Sequence, residues 1–194
     1  MAVFTRLFKD RAADAAKVFP TSTPEEATAS LTEIASAQFI AYSTWKWLEE
    51  HARTSGKPVY RYLYARPRPP TVETGVTPNL AGGATRGAAS ATPAPPATGA
   101  VHSAEIEYAM GNLPLNHVFA WTPDDYKVSA TMQEFFANFI KKGDPNGPAV
   151  PAWPVGAPDG SGNVQRMRID VTSRAEPEPR PRYQFLNEIW SGTR

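Results

Sequence analysis

Three histidines, His51, His102 and His117, are the side chains of this 194-residue sequence best suited to acid–base chemistry. Imidazole titrates near neutral pH, so it can take a proton from a hydroxyl and return it to a leaving group. Small residues precede His102, and Glu105 and Glu107 follow it. Small residues let a loop place an imidazole in a cleft. Spacing alone leaves two alternatives open for His102: a loop histidine beside a helix start, or a catalytic base.

The other two histidines fit structural roles. His51 follows Glu49 and Glu50 near a predicted helix end, where the helix dipole favours a cation. His117 lies among apolar residues, which favours a structural hydrogen-bonding role. His102 is therefore the strongest candidate of the three.

Neither a metal site nor a serine nucleophile is predicted. His102, Glu105 and Glu107 lack the two-histidine helical spacing of a zincin, and the sequence has no cysteine that could complete a site. Gly160-Ser161-Gly162 does not match the nucleophile elbow Gly-x-Ser-x-Gly, because position 159 is Asp and position 163 is Asn. We interpret this triplet as a turn.

The composition excludes several classes of partner. Lys and Arg together number 20 and Asp and Glu 19, so the net charge of +1 gives no broad attraction to nucleic acid or to an anionic membrane. No run approaches the roughly 20 apolar residues of a membrane span. The 20 prolines cluster at 67–96, 145–158 and 177–181, and they divide the chain into blocks.

Capping motifs predict two long helical regions. Thr23, followed by Pro24 and Glu26, begins one, with Glu26 expected to bond back to the amide of Thr23 itself. The apolar period continues to Arg53 as one long or two successive helices, which Gly56 ends.

A second capping motif, Thr122-Pro123-Asp124-Asp125, begins a helix with one apolar stripe that ends at Gly143. The apolar stretch 183–190 predicts a third helix. Strands are predicted at Val59–Ala65, an inner strand, and at 166–171, a half-buried one. The Pro/Ala/Gly-rich stretch at about 66–98 is expected to be a mobile loop, poorly ordered and dispensable over 81–98. This alternation predicts an α/β layer.

Three segments, in order, resemble one protein family. Residues 99–113, GAVHSAEIEYAMGNL, resemble the catalytic-histidine segment of type-B carboxylesterases, the family of cholinesterases and bacterial para-nitrobenzyl esterases. Residues 136–154, with FANF, GDPN and WP, are similar to a second family segment. Upstream, GKPVYRY at 56–62 resembles the strand that leads towards the histidine loop.

The resemblance implies that residues 1–194 are the C-terminal portion of an α/β-hydrolase domain, a partial sheet flanked by helices. The family hydrolyses carboxylic esters without a cofactor, using a serine, an acid and a histidine in that chain order. His102 would be the general base, and Glu105 would support it without being the triad acid. The nucleophile and the acid would lie outside this chain, in an N-terminal part that would be its partner.

Two rival hypotheses accompany this one. The chain could be a catalytically dead, esterase-like domain that acts in protein–protein interaction, or an unrelated α/β binding domain. The esterase hypothesis makes a structural prediction: His102 lies on a loop after the strand at Val59–Ala65, at the carboxyl end of a partial sheet.

Overall fold

The computed structural model describes residues 2–73, 75–78, 84–87, 99–156 and 164–192. They form two compact units, the first from 2–59, 164 and 177–192 and the second from the described residues of 60–156 and 165–176. The helices are α1 (Ala2–Phe8), α2 (Ala12–Val18), α3 (Pro24–Ser36), α4 (Tyr42–Ser55), α5 (Ile106–Ala109), α6 (Pro123–Lys142) and α7 (Arg180–Ser191). The strands are β1 (Tyr62–Tyr64), β2 (Val76–Pro78), β3 (Ala84–Arg86), β4 (Gln165–Ile169) and β5 (Arg174–Pro177).

The capping motif at Thr23 begins α3 as predicted, with one difference. The Thr23 side chain accepts a hydrogen bond from the amide of Glu26. The Glu26 carboxylate accepts from the amide of Ser22 at 2.9 Å, one residue before the cap that we expected. A π-helical segment, Ala37–Ala41, joins α3 to α4 with helical backbone at both junctions, so the region continues as one long helical run with a π-bulge inside it. Gly56 ends α4 with a φ of 63°.

The first unit has an aromatic core. Phe8 lies 5.4 Å from Phe185 and 6.4 Å from Phe19, measured between ring centroids. Helices α1 and α2 were not predicted, although residues 4, 8, 12, 15 and 19 repeat at helical spacing and are all buried. The core of this unit consists of Phe4, Phe8, Ala12, Ala15, Phe19, Ile34, Ala37, Phe185 and Leu186.

The second unit contains a small sheet in the order β1-β4-β5. β1 runs parallel to β4, pairing Tyr62 with Met167 and Tyr64 with Ile169. β5 follows β4 after only four residues, which requires an antiparallel pair. β1 was predicted as an inner strand, but among the described strands it has one neighbour, β4, and Tyr62 is 42% exposed. Aromatic and β-branched composition predicts a strand but not how many neighbours it has.

Helix α6 covers this sheet. Its capping box at Thr122 and Asp125 and its termination at Gly143, with a φ of 73°, agree with the prediction. The buried stripe of Val128, Met132 and Phe135 packs in one cluster with Met167 and Ile169. The helix at 183–190 and the strand at 166–171 are also confirmed, as α7 and β4.

The stretch predicted as a loop at about 66–98 contains a short antiparallel ladder. Thr77 of β2 pairs with Thr85 of β3, and Val76 pairs with Arg86. The composition of the stretch, rich in Pro, Ala and Gly, gave no signal for these short strands. The remainder of 81–98 and the triplet at 160–162 lie outside the described residues.

Candidate active site

His102 lies in a turn that precedes α5 and is outside any regular helix, as predicted. The turn is closed by hydrogen bonds from the amide of Ala104 to the carbonyl of Val101, at 3.2 Å, and from the amide of Ile106 to the carbonyl of Ser103, at 3.4 Å. Ser103 adopts a left-handed conformation with a φ of 61°, which is uncommon for a residue other than glycine. The His102 side chain is exposed.

The residues after His102 are deeply buried. Ala104 and Tyr108 have no exposed surface, and the Tyr108 ring lies 5.3 Å from that of Tyr64 at the end of β1. The hydroxyl of Ser129 donates to the carbonyl of Tyr108 at 2.8 Å. An exposed imidazole is therefore attached to a fixed segment next to the carboxyl end of β1.

A buried carboxylate, Asp125, is hydrogen-bonded to this segment through Tyr108. Its Oδ1 accepts hydrogen bonds from the Tyr108 hydroxyl at 2.9 Å and from Arg66 Nε at 2.7 Å. Its Oδ2 accepts from the amide of Thr122 at 2.8 Å and from the Thr122 hydroxyl at 2.6 Å. Burial opposes ionisation, but the hydrogen bonds from Arg66, Thr122 and Tyr108 outweigh it and hold the pKa of Asp125 below its usual range.

Two phenols line the same interior. Burial raises the pKa of Tyr108 and of Tyr64 above the usual value. Both hydroxyls therefore remain protonated, and the Tyr108 hydroxyl can serve as a permanent donor to Asp125.

The two glutamates of the histidine segment differ in their surroundings. Partial burial and the negative charge of Glu105 raise the pKa of Tyr62. Glu107 forms a shielded ion pair with Arg68 at 3.2 Å and accepts a hydrogen bond from the Asn116 side chain. The Arg68 guanidinium lies 5.1 Å from the centre of the Phe119 ring. Glu105 lies in the same turn as His102, whereas the carboxylate of Glu107 pairs with Arg68.

The remaining histidines lie elsewhere. His117 is exposed beside a shallow surface cavity of about 130 Å³, which is also lined by Glu73 and Arg86. His51 is exposed on α4 of the first unit, with its ring 6.5 Å from that of Trp47. Within the described ranges, no group of three or more His, Asp or Glu side chains is arranged to hold a metal ion. No helix in those ranges is both long and apolar enough to cross a membrane.

Sequence reasoning missed the residues that hold the segment. Asp125 was predicted only as part of a helix cap, and Arg66 and Tyr108 were given no role. The capping box was a usable signal for Asp125. Its other partners, Tyr108 and Arg66, lie 17 and 59 positions away in the sequence, and no local pattern indicates contact over such a separation.

Solved structures similar to this chain establish its fold class. The chain matches an esterase from Clostridium hathewayi with a TM-score of 0.59 and 18% identity, over all of this chain and 32% of that one. It matches the Geobacillus stearothermophilus carboxylesterase EST55 with a TM-score of 0.57 and 18% identity, over 95% of this chain and 36% of that one. The fold is therefore the α/β-hydrolase fold, represented here by a partial sheet with flanking helices.

The family follows from sequence. The model of the Carboxylesterase family matches residues 5–185, and the chain belongs to that family. Acetylcholinesterase of Bungarus fasciatus is 42% identical over 62 residues, which are 31% of this chain and 10% of that protein. Pyrethroid hydrolase Ces2e of Rattus norvegicus is 35% identical over 60 residues, 31% of this chain and 11% of that protein. The hypothesis of an unrelated α/β binding domain is thereby excluded.

The chain spans only part of the length of the proteins that it matches. It spans about a third of the length of the two esterase structures, and its matches to the two curated relatives cover about a tenth of each.

Proposed function

We propose that this chain supplies the general base, His102, to a carboxylic ester hydrolase whose nucleophilic serine and triad acid lie outside these 194 residues. One observation carries the proposal: His102 is exposed on a turn whose next residues, Ala104 and Tyr108, are completely buried. A general base needs an accessible ring nitrogen held in a fixed direction. The family membership supports the same role.

The proposed reaction has two half-reactions. The imidazole of His102 takes the proton of the serine hydroxyl as its oxygen attacks the ester carbonyl, and then gives that proton to the departing alcohol. In the second half, His102 takes a proton from water as the water attacks the acyl-enzyme, and returns it to the serine. Glu105, in the same turn, would support the histidine segment without acting as the triad acid.

The same proposal implies that the isolated chain is inactive. The sequence contains no Gly-x-Ser-x-Gly elbow, and a base without a positioned nucleophile and oxyanion donors contributes little. The partner would be the remaining, N-terminal part of the hydrolase domain. Its substrate would be a small carboxylic ester.

Exposed apolar groups in the second unit support such a partner. Beside His102, Val101 is 43% exposed, Ile106 48% and Met110 67%. Tyr62 and Leu63 of β1 are also exposed, on a strand that is paired on one side in the described sheet. Exposed apolar surface and an open strand edge favour coverage by further protein, so we expect the isolated chain to self-associate.

The rival hypothesis, a dead esterase-like domain for protein–protein interaction, explains the same exposed surface without catalysis. The two differ in ester turnover. The test mixes the chain with an N-terminal carboxylesterase fragment that carries the serine elbow, and follows hydrolysis of para-nitrophenyl acetate. His102→Ala is compared with His117→Ala, which removes another exposed histidine of the same unit.

We expect no turnover from the chain alone, turnover from the mixture, loss of that turnover in His102→Ala, and retention in His117→Ala. Turnover by the mixture that survives His102→Ala would remove His102 from the mechanism. A folded, associated mixture without any turnover would favour the rival hypothesis.

A further inference from the structure

The buried carboxylate of Asp125 has no role in the proton transfers described above, although it is completely shielded from solvent. We infer that Asp125, Arg66 and Tyr108 form a positioning assembly that aims the His102 imidazole. This inference rests on the proposed function of His102. It assigns to three residues a role in the reaction that is distinct from contact with the substrate.

The carboxylate joins three separate segments of the second unit. Arg66 belongs to the chain that leaves the carboxyl end of β1, Tyr108 to the helix that follows His102, and Thr122 to the start of α6. Four hydrogen bonds converge on the two oxygens of Asp125. An ionised carboxylate can accept all four, whereas a neutral amide or acid would lose at least one acceptor position.

Tyr108 transmits this constraint to the histidine turn because it is held at two points. Its hydroxyl donates to Asp125, and its carbonyl accepts from the Ser129 hydroxyl at 2.8 Å. The amide of Ala109 donates to the carbonyl of Glu105 at 2.8 Å, which completes one helical turn between Tyr108 and the His102 segment. Ala104, with no exposed surface, leaves no space for that turn to shift inward.

A second arginine from the same exit segment holds the other side of the turn. Arg68 pairs with Glu107 at 3.2 Å, and its Nη2 lies 3.5 Å from the carbonyl oxygen of Ser103, the residue next to His102. Arg66 and Arg68 thus connect the end of β1 to both ends of the histidine segment. Displacement of a reacting group by about 1 Å can reduce a rate by about a hundredfold.

Stability alone gives a weaker account of the assembly. A buried ion pair contributes little net stability compared with apolar groups of the same volume, because both charges lose their hydration. Directional hydrogen bonds from three segments to one carboxylate do fix a geometry, which an apolar cluster does less well. Such fixation is what an exposed catalytic side chain requires.

The test uses Tyr108→Phe, which removes one hydroxyl and keeps the buried ring. Its matched control is Tyr42→Phe, which removes a hydroxyl that donates to Asn187 at 3.0 Å in the first unit. In the reconstituted mixture with para-nitrophenyl acetate, we expect Tyr108→Phe to lower kcat about tenfold with KM nearly unchanged. We expect Tyr42→Phe to leave both constants at the parent values.

A second readout on the full chain does not depend on turnover. Amide hydrogen exchange at residues 104–109 should accelerate about tenfold in Tyr108→Phe and remain unchanged in Tyr42→Phe. Parent mixtures without His102-dependent turnover would contradict the proposed function, and the exchange rates would still decide whether Tyr108 holds the turn. His102-dependent turnover with equal kcat in both variants, or unchanged exchange in Tyr108→Phe, would overturn the positioning assembly.

Discussion

Both units have aromatic cores, but they differ in the charged groups that lie inside them. In the first unit, aromatic rings meet edge to face or stacked: Phe8 contacts Phe4, Phe19 and Phe185. Its ion pairs include exposed ones, such as the pair of Arg53 with Glu50. In the second unit, a charged carboxylate, Asp125, lies inside, bonded to Arg66 and Tyr108.

The two kinds of interaction differ in how precisely they fix the position of the groups they join. Apolar packing is non-directional and its free energy follows the area removed from water, so an aromatic cluster excludes solvent effectively. Hydrogen bonds to a buried carboxylate depend on angle and distance, so they specify one arrangement of the segments they join. The directional network adjoins the turn of the exposed His102, the residue that we propose as the general base.

The largest expected effect is on the aromatic cluster. Phe8→Ala should lower the free energy of unfolding by about 3–5 kcal/mol, because it removes a ring that is 4% exposed and leaves a cavity. Phe39→Ala, at a ring that is 64% exposed, should change it by about 0.5 kcal/mol at most. Chemical denaturation of both variants makes the measurement. Equal losses would mean that the first unit is not organised around Phe8.

A smaller loss is expected at the buried carboxylate. Asp125→Asn should cost about 3 kcal/mol, because the Arg66 guanidinium loses its ionic partner while the amide keeps the shape. Asp124→Asn changes the exposed neighbouring residue in the same helical turn and should cost about 0.5 kcal/mol. Denaturation curves at neutral pH test both. A loss at Asp124 as large as that at Asp125 would point to the helix dipole as the cause.

The variants Asp125→Asn and Asp124→Asn should also differ in how their stability depends on pH. The pKa of Asp125 is lowered by folding, so its contribution to stability is complete above the pKa of an unfolded aspartate, about 4. That contribution is lost as the pH falls through the lower, folded pKa. The stability of Asp125→Asn should therefore fall less steeply on acidification than that of the parent or of Asp124→Asn. Parallel curves for all three proteins would show that Asp125 does not carry the acid sensitivity.

Removing the threonine cap of one helix in each unit should change the free energy of unfolding by a smaller amount. Thr122 caps α6 and also donates its hydroxyl to Asp125, whereas Thr23 caps α3 at an exposed position. We expect Thr122→Ala to cost about 2 kcal/mol and Thr23→Ala about 1 kcal/mol, since the first change also leaves a buried oxygen with one donor fewer. Thermal unfolding of the two variants measures the difference. Equal losses of stability would mean that Thr122 acts only as a helix cap and that its hydrogen bond to Asp125 adds nothing measurable.

Local signals in the sequence predicted the caps, the long helices and the histidine turn, because each depends on residues within a few positions. They did not predict that β1 has a single neighbour among the described strands, or that Asp125 is buried, because both depend on distant partners. The π-helical segment Ala37–Ala41 was not predicted either, since its apolar period differs little from that of an α-helix. The family resemblance singled out His102 as the candidate base, whereas the hydrogen bonds of Asp125 to Tyr108 and Arg66 are seen only in the structure.

The smallest expected effect compares two non-glycine residues in the left-handed region, Lys9 of the first unit, with a φ of 50°, and Ser103 of the second. Glycine at either position relieves about 1 kcal/mol of backbone strain, but it adds a similar conformational entropy to the unfolded chain. Lys9→Gly and Ser103→Gly should therefore each change the free energy of unfolding by less than about 0.5 kcal/mol.

The two glycine variants should differ locally. Ser103 orients the carbonyl that accepts from the amide of Ile106, so glycine there lets the turn after His102 open more often. Hydrogen exchange at the amides of residues 104 and 106 should accelerate in Ser103→Gly and keep the parent rate in Lys9→Gly. If both variants leave those rates unchanged, the buried anchors at Ala104 and Tyr108 fix the turn without help from the conformation of Ser103. Faster exchange in Ser103→Gly alone would show that the left-handed residue itself helps to keep the turn after His102 closed.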